Sequence, residues 1–128
     1  MRDRWMKELK MVEAQYGPVE TGPDLAWFII PSWTLPGGWS KCQTILLVLI
    51  PPGYPVTPPD NFYVDADLRL AGGGMPGSCS AESQGGRQWL KFSYHVEGAD
   101  WSPHAEPAHG HNLLTFLQGV TKRLSEVS

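Results

Sequence analysis

Cysteine is scarce in this chain: Cys42 and Cys79 are the only two among 128 residues. Two thiols cannot form the disulfide framework by which small secreted domains make up for a thin core. Long hydrophobic runs are missing too. The longest apolar stretch, Ile45 to Pro52, falls well short of the roughly 20 residues that cross a bilayer, so no membrane association is expected. The start, Met1-Arg2-Asp3-Arg4-Trp5, lacks the apolar centre of a signal peptide. The expectation is therefore a cytoplasmic protein whose cysteines are reduced. There is no block of like charge, and the net charge is −3. Nucleic acid is excluded as a partner, because its binding is driven by clustered Lys and Arg. No internal repeat is present.

Length sets the domain count. A chain of 128 residues buries roughly two-thirds of its unfolded surface, sufficient for one core, so residues 1–128 read as a single domain. The 12 prolines and 14 glycines lie between apolar runs rather than in one tract, as turns do. Six tryptophans argue against disorder, which is poor in aromatics.

Residues 3–15 place Trp5, Leu9 and Val12 at helical spacing and Arg4, Lys7 and Lys10 on another face, predicting an amphipathic first helix. Gly17-Pro18 stops it. Ala26 to Ile30 is a short β-prone run ended by Pro31. After a Leu35-Pro36-Gly37-Gly38 turn, Cys42 to Ile50 is the next strand. Its apolar run does not alternate, which predicts a central strand covered on both faces, with a helix packed across the sheet. Pro51-Pro52-Gly53-Tyr54-Pro55 cannot continue a ladder. Phe62-Tyr63-Val64 is a further strand, followed by a long glycine-rich loop, Ala71 to Cys79. Trp89 to Val96 is a short edge strand or an irregular segment. Asn112 caps a last helix striped by Leu113, Phe116, Leu117, Val120 and Leu124, with Lys122 and Arg123 suiting its dipole. The class is α+β, with helices on one face of an antiparallel β-meander.

Ile50-Pro51-Pro52-Gly53-Tyr54-Pro55-Val56-Thr57-Pro58-Pro59 followed by Phe62-Tyr63-Val64 resembles the strand, proline loop and strand of the ubiquitin-conjugating (E2, or UBC) fold. Trp101-Ser102-Pro103 resembles that family's Trp-Ser-Pro element. Cys79, 20 residues beyond Pro59, is close to where such enzymes carry their catalytic cysteine. Pro58 to Tyr63, the glycine-rich loop, Trp89 to His95 and Asp100-Trp101 look like the bacterial group called prokaryotic E2 family E. The likeness spans nearly the whole chain. It departs from the eukaryotic pattern twice. The stretch Asp67 to Gly74 carries no His-Pro-Asn triplet, and Trp101 lies 22 residues past Cys79, so the intervening loop is expanded.

The resemblance implies an E2-like transferase. Cys79 would accept a ubiquitin-like protein from an E1-like activating enzyme as a thioester and pass it to an amine, a lysine of a protein substrate. Related proteins are encoded beside a ubiquitin-like protein, an E1-like enzyme and a JAMM-type peptidase, in operons some of which act against phage. No cofactor is implied for the chain itself, since the E1 would consume the ATP. The residues fit this chemistry. A thiolate is a good nucleophile, and its acyl-thioester stays reactive to amines. Gly77, Ser78 and Ser80 leave the thiol accessible, and backbone N–H groups there can approach an oxyanion. The plainer reading makes Cys79 an inert loop residue. Cys42, opening an apolar strand, reads as a small buried hydrophobe.

His95 is the first candidate for an acid–base or oxyanion partner, against the bland alternative of a histidine satisfied by a carbonyl. His104, His109 and His111 follow Trp101, and Glu82 or Asp100 could orient an amine. These histidines with Cys79 would also supply zinc ligands, although their spacing matches no compact motif. The Arg4, Lys7 and Lys10 face is either solvated surface or, as the resemblance suggests, a docking patch for the E1-like enzyme. From another functional class comes a noncatalytic E2-like scaffold that binds a ubiquitin-like protein or peptide.

Overall fold

In the computed structural model, which describes residues 2–96 and 100–126, two helices pack on one face of a six-stranded antiparallel sheet. Helix α1 spans Arg2–Tyr16 and α2 spans Leu113–Ser125. The strands are β1 (Glu20–Thr21), β2 (Trp27–Thr34), β3 (Gln43–Leu49), β4 (Phe62–Asp65), β5 (Cys79–Gln84) and β6 (Arg87–Phe92), in the spatial order β1-β2-β3-β4-β6-β5. The α+β class and the UBC-like arrangement are as the sequence implies. The meander holds through β4. The last hairpin then enters the sheet with its second strand inward, leaving β5 as the edge.

Trp5, Leu9 and Val12 of α1 and the α2 stripe Leu113, Phe116, Leu117, Val120 and Leu124 meet the inner sheet face at Phe28, Ile30, Leu46, Val48, Phe62, Val64, Leu90 and Phe92, all buried. The entry to α2 is closed by a capping box. The Asn112 side chain accepts from the Thr115 N–H (3.0 Å), and the Thr115 hydroxyl accepts from the Asn112 N–H (2.8 Å). The indole of Trp39 donates to the Leu124 carbonyl (2.9 Å), tying down the other end.

Four local expectations are corrected. Pro31 does not end its strand. β2 runs on to Thr34 because the β2–β3 register breaks between Ile30 and Trp33, and an exposed proline at such an irregularity forfeits no ladder bond. β3 is central, but helices cover only one of its faces. On the other, Leu47, Tyr63 and Trp89 bury one another, with Trp27, Ile29 and Leu49 beside them. Cys42 is exposed rather than buried, because the strand begins one residue later. The segment from Cys79 onward is a strand, not loop, and β6 is interior rather than an edge.

Glu8 holds three elements together. Its side chain is buried on the inner side of α1, although flanked in sequence by Lys7, Leu9 and Lys10. It accepts from the Arg4 guanidinium (2.7 Å), from the Tyr54 hydroxyl in the proline loop, and from the backbone N–H of Leu113 at the start of α2 (2.6 Å). Burial, and after it the neighbouring Glu8 carboxylate, hold the Tyr54 phenol far above the ordinary tyrosine range. The proline loop is also fixed from outside, where the Trp101 indole donates to the Pro55 carbonyl (2.7 Å) with its ring 6.3 Å from that of Tyr54. The proline and Trp-Ser-Pro motifs are therefore in direct contact.

Candidate active site

The loop between β4 and β5 folds on itself before it delivers Cys79. Leu70 N–H donates to the Gly74 carbonyl (2.9 Å) and Gly73 N–H returns to Leu70 (2.8 Å), a turn that needs the positive φ of Gly73 (94°). Ser78 also has positive φ (55°), uncommon for a residue with a side chain. The chain then enters the sheet. Ser93 N–H donates to the Ser78 carbonyl (3.0 Å), and Cys79 stands opposite Phe92 on β6.

The Cys79 side chain is half-buried against the inner core, and its thiol donates to the Pro76 carbonyl at 3.0 Å. Arg123 reaches over from α2, donating to the Gly77 carbonyl (2.9 Å) with its guanidinium 5.3 Å from the Phe92 ring centre. Burial pushes the thiol above its ordinary range, and the positive charges of Arg69 and Arg123 pull the other way. The Pro76 contact acts in the same sense as burial, because it is made by the protonated form. With Cys42 replaced by serine, alkylation of Cys79 by iodoacetamide is therefore expected to be slower at pH 7 than that of a free cysteine peptide. Its rate should rise through a midpoint above that of the peptide, and Arg123→Ala should move that midpoint higher still. A midpoint at or below the peptide value would show that the two guanidiniums outweigh burial.

His95 lies in a different cleft. It is exposed and paired through Nδ1 with the Asp60 carboxylate. Together with Asp100, Trp101 and His111 it lines an open cleft of about 390 Å³ between the end of β6 and α2. Cys79 does not line that cleft, and among the described residues no hydrogen bond joins the two side chains. His111 stacks on Trp101 (5.5 Å) and its Nδ1 accepts from Ser102 N–H (2.7 Å), while His104 Nδ1 accepts from Glu106 N–H (2.9 Å). These rings serve the Trp-Ser-Pro loop, and among the described residues no group of His, Cys, Asp or Glu is arranged to hold a metal ion. Glu82 pairs with Lys91 across β5 and β6 (3.4 Å).

A family model described as Prokaryotic E2 family E matches residues 2–126. The chain belongs to that family. No curated protein and no solved structure matches it. A prokaryotic E2 family E protein has an E2-like conjugating role in general terms, with a ubiquitin-like protein and an E1-like enzyme as its general partners. No helix among the described residues is long and apolar enough to cross a membrane.

In this E2-like protein the basic face of α1 is divided. Arg4 is turned inward, bonded to Glu8 and to the carbonyls of His104 and His111. Lys7 is exposed and only loosely paired with Glu106 (3.5 Å), and Lys10 is exposed. Sequence reading missed Glu8 and Arg69, and assigned Arg123 only to its helix dipole. The i,i+4 spacing of Arg4 and Glu8 was visible, but nothing in it says which carboxylate goes inside. Arg69 carries no sequence signal at all.

Proposed function

We propose that this chain is an E2-like transferase in which Cys79 carries a ubiquitin-like protein as a thioester. The observation that carries the reading is the half-exposed Cys79 thiol at the head of an edge strand, beside Arg69 and Arg123. The Cys79 thiolate attacks the carbonyl carbon of the thioester held by the E1-like enzyme. A new C–S bond forms, the old one breaks, and the E1 thiolate leaves. A lysine amine of the target then attacks the Cys79 thioester, loses a proton and releases the Cys79 thiolate, leaving an amide. The guanidiniums favour the thiolate and the oxyanion that precedes each release.

His95 is assigned to the second step. Its ring, oriented by Asp60, lines a cleft that Cys79 does not share, so it would take the proton of the amine where a target lysine spans from that cleft to the thioester. Docking of the E1-like enzyme is assigned to α1 through Lys7 and Lys10, with Arg4 holding the helix in place. The setting that fits is a cytoplasmic bacterial ubiquitin-like conjugation operon, including those that act against phage.

Incubated with the E1-like enzyme, ATP and the ubiquitin-like protein, the chain should form a reductant-sensitive adduct that Cys79→Ala abolishes. An adduct that persists in Cys79→Ala overturns the assignment. In His95→Ala the thioester should form normally and its discharge to lysine should slow by about 10²-fold or more. A noncatalytic scaffold is the second reading, favoured by the raised Cys79 thiol and by its hydrogen bond to the Pro76 carbonyl, with no acid–base side chain bonded to it among the described residues. It predicts binding of the ubiquitin-like protein with no adduct at any pH.

A further inference from the structure

β5 pairs with β6 on one side, and among the described residues no strand pairs with its other side. Its hydrogen-bonding phase follows from the hairpin that ends it. Gln84 and Arg87 flank a two-residue turn, Gly85-Gly86, with φ of 59° and 78°, the type I′ geometry that closes a hairpin on a hydrogen-bonded pair. Such pairs alternate with non-bonded ones along an antiparallel ladder. Counting back from Gln84–Arg87, the bonded pairs are Glu82–Trp89 and Ser80–Lys91, and the next would be Ser78–Ser93, where Ser93 N–H does donate to the Ser78 carbonyl. The non-bonded residues are Ser83, Ala81 and Cys79. Their N–H and C=O groups point away from β6, toward the open edge.

Natural edges are blunted by charged residues, proline or a bulge. β5 carries one charge, Glu82, which is paired with Lys91 of β6 (3.4 Å); Ser80, Ala81 and Ser83 are small and exposed, and the β5–β6 register is unbroken. A chain added antiparallel to β5 would run from Ser83 to Ala81 and end at Cys79. Its final carbonyl would arrive at the Cys79 backbone N–H, on the strand end where Arg123 crosses and where Arg69 adds its charge. Two guanidiniums at that end suit the carboxylate or oxyanion of a chain terminus, and the small, exposed Ser80, Ala81 and Ser83 leave room for a small-residue tail.

The geometry points to the free edge of β5 as the docking strand for the extended C-terminal tail of the ubiquitin-like protein, added antiparallel so that its last carbonyl meets Cys79. This deepens the thioester reading and rests on it. It commits to an extended tail of about five residues, the length that spans Cys79 to Ser83 at roughly 3.3 Å per residue.

The test uses the full chain carrying Cys42→Ser and two synthetic probes with mercaptoethanesulfonate as the leaving thiol: an acetylated hexapeptide thioester ending in Ala-Gly, and acetylglycyl thioester. Acylation of Cys79 is followed by intact mass, and backbone amide shifts by NMR with the matching hexapeptide acid. The hexapeptide should react faster by about tenfold or more, since it gains the backbone hydrogen bonds along β5 that acetylglycine cannot make. Shifts should be largest at Cys79, Ala81 and Ser83 and small at Ser80 and Glu82. Ala81→Pro removes an N–H that the β6 ladder does not use and should erase the preference of the hexapeptide over the acetylglycyl probe. Methylating the peptide nitrogen that faces Ala81 should do the same with the protein untouched. Equal rates for the two probes, or shifts without alternation, overturn the edge assignment even if Cys79 is acylated. Alternating shifts without acylation of Cys79 by either probe would instead overturn the thioester reading and leave the docking strand standing.

Discussion

Glu8→Ala is expected to lose about 3–5 kcal/mol of unfolding stability, the range measured when one member of a buried charged pair is removed. The size follows from what is stranded. The Tyr54 hydroxyl and the Leu113 N–H are buried and aimed at the missing carboxylate, and an unpartnered buried donor costs about 1–3 kcal/mol. Arg4 keeps its bonds to His104 and His111, so its charge is not wholly orphaned, which limits the loss. Glu8→Gln retains an acceptor oxygen and should cost less than half as much. Urea unfolding followed by tryptophan fluorescence measures both. A double-mutant cycle with Tyr54→Phe should show coupling of about 1 kcal/mol or more, because the two groups share one hydrogen bond. A loss below about 1 kcal/mol in Glu8→Ala would mean that other groups or water satisfy the three donors.

Trp101→Ala should destabilise the fold by a similar amount, about 3–5 kcal/mol, with a different signature. The indole is buried between His111 and Tyr54 and holds the Pro55 carbonyl. Its loss leaves a cavity where the proline loop meets the Trp-Ser-Pro segment. It also removes one wall of the cleft that contains His95. Trp101→Phe keeps most of the packing and deletes the indole N–H, so about 1 kcal/mol is expected from the lost hydrogen bond. If the thioester forms on Cys79 as proposed, Trp101→Phe should leave its formation intact, because Cys79 lies outside that cleft, and any effect should fall on discharge to lysine. Equal damage to both steps would indicate that the two regions are mechanically joined.

What could be read from the sequence depended on where each residue's partners lie. Both helices were legible because their apolar stripes are local: Trp5, Leu9 and Val12, and Leu113 to Leu124, all reach the core. β3 was legible from its aliphatic run. β5 was not, because Cys-Ser-Ala-Glu-Ser-Gln has no β-branched or aromatic residue. It is a strand because β6 supplies the ladder and Gly85-Gly86 the turn, and the glycine pair was the one available signal. Pro31 misled because a proline reads as a stop unless a register break is known to accommodate it. At the candidate site, Cys79 was visible as a residue but not as part of an edge strand. Its charged neighbours Arg69 and Arg123 come from elements 10 and 44 positions away in the sequence, a distance no local pattern spans.

The position of β5 has a bearing on dynamics. Structures open locally at free energies well below that of global unfolding where contacts are few. β5 is attached through a single hairpin partner and presents small, exposed side chains to solvent, while β6 beside it carries the buried Trp89, Leu90 and Phe92. β5 can therefore fray while the core stays intact. Cys79 sits at the end of β5 farthest from the Gly85-Gly86 turn, so its thiol can swing clear of Pro76 in a partial opening that leaves both helices and the five other strands folded.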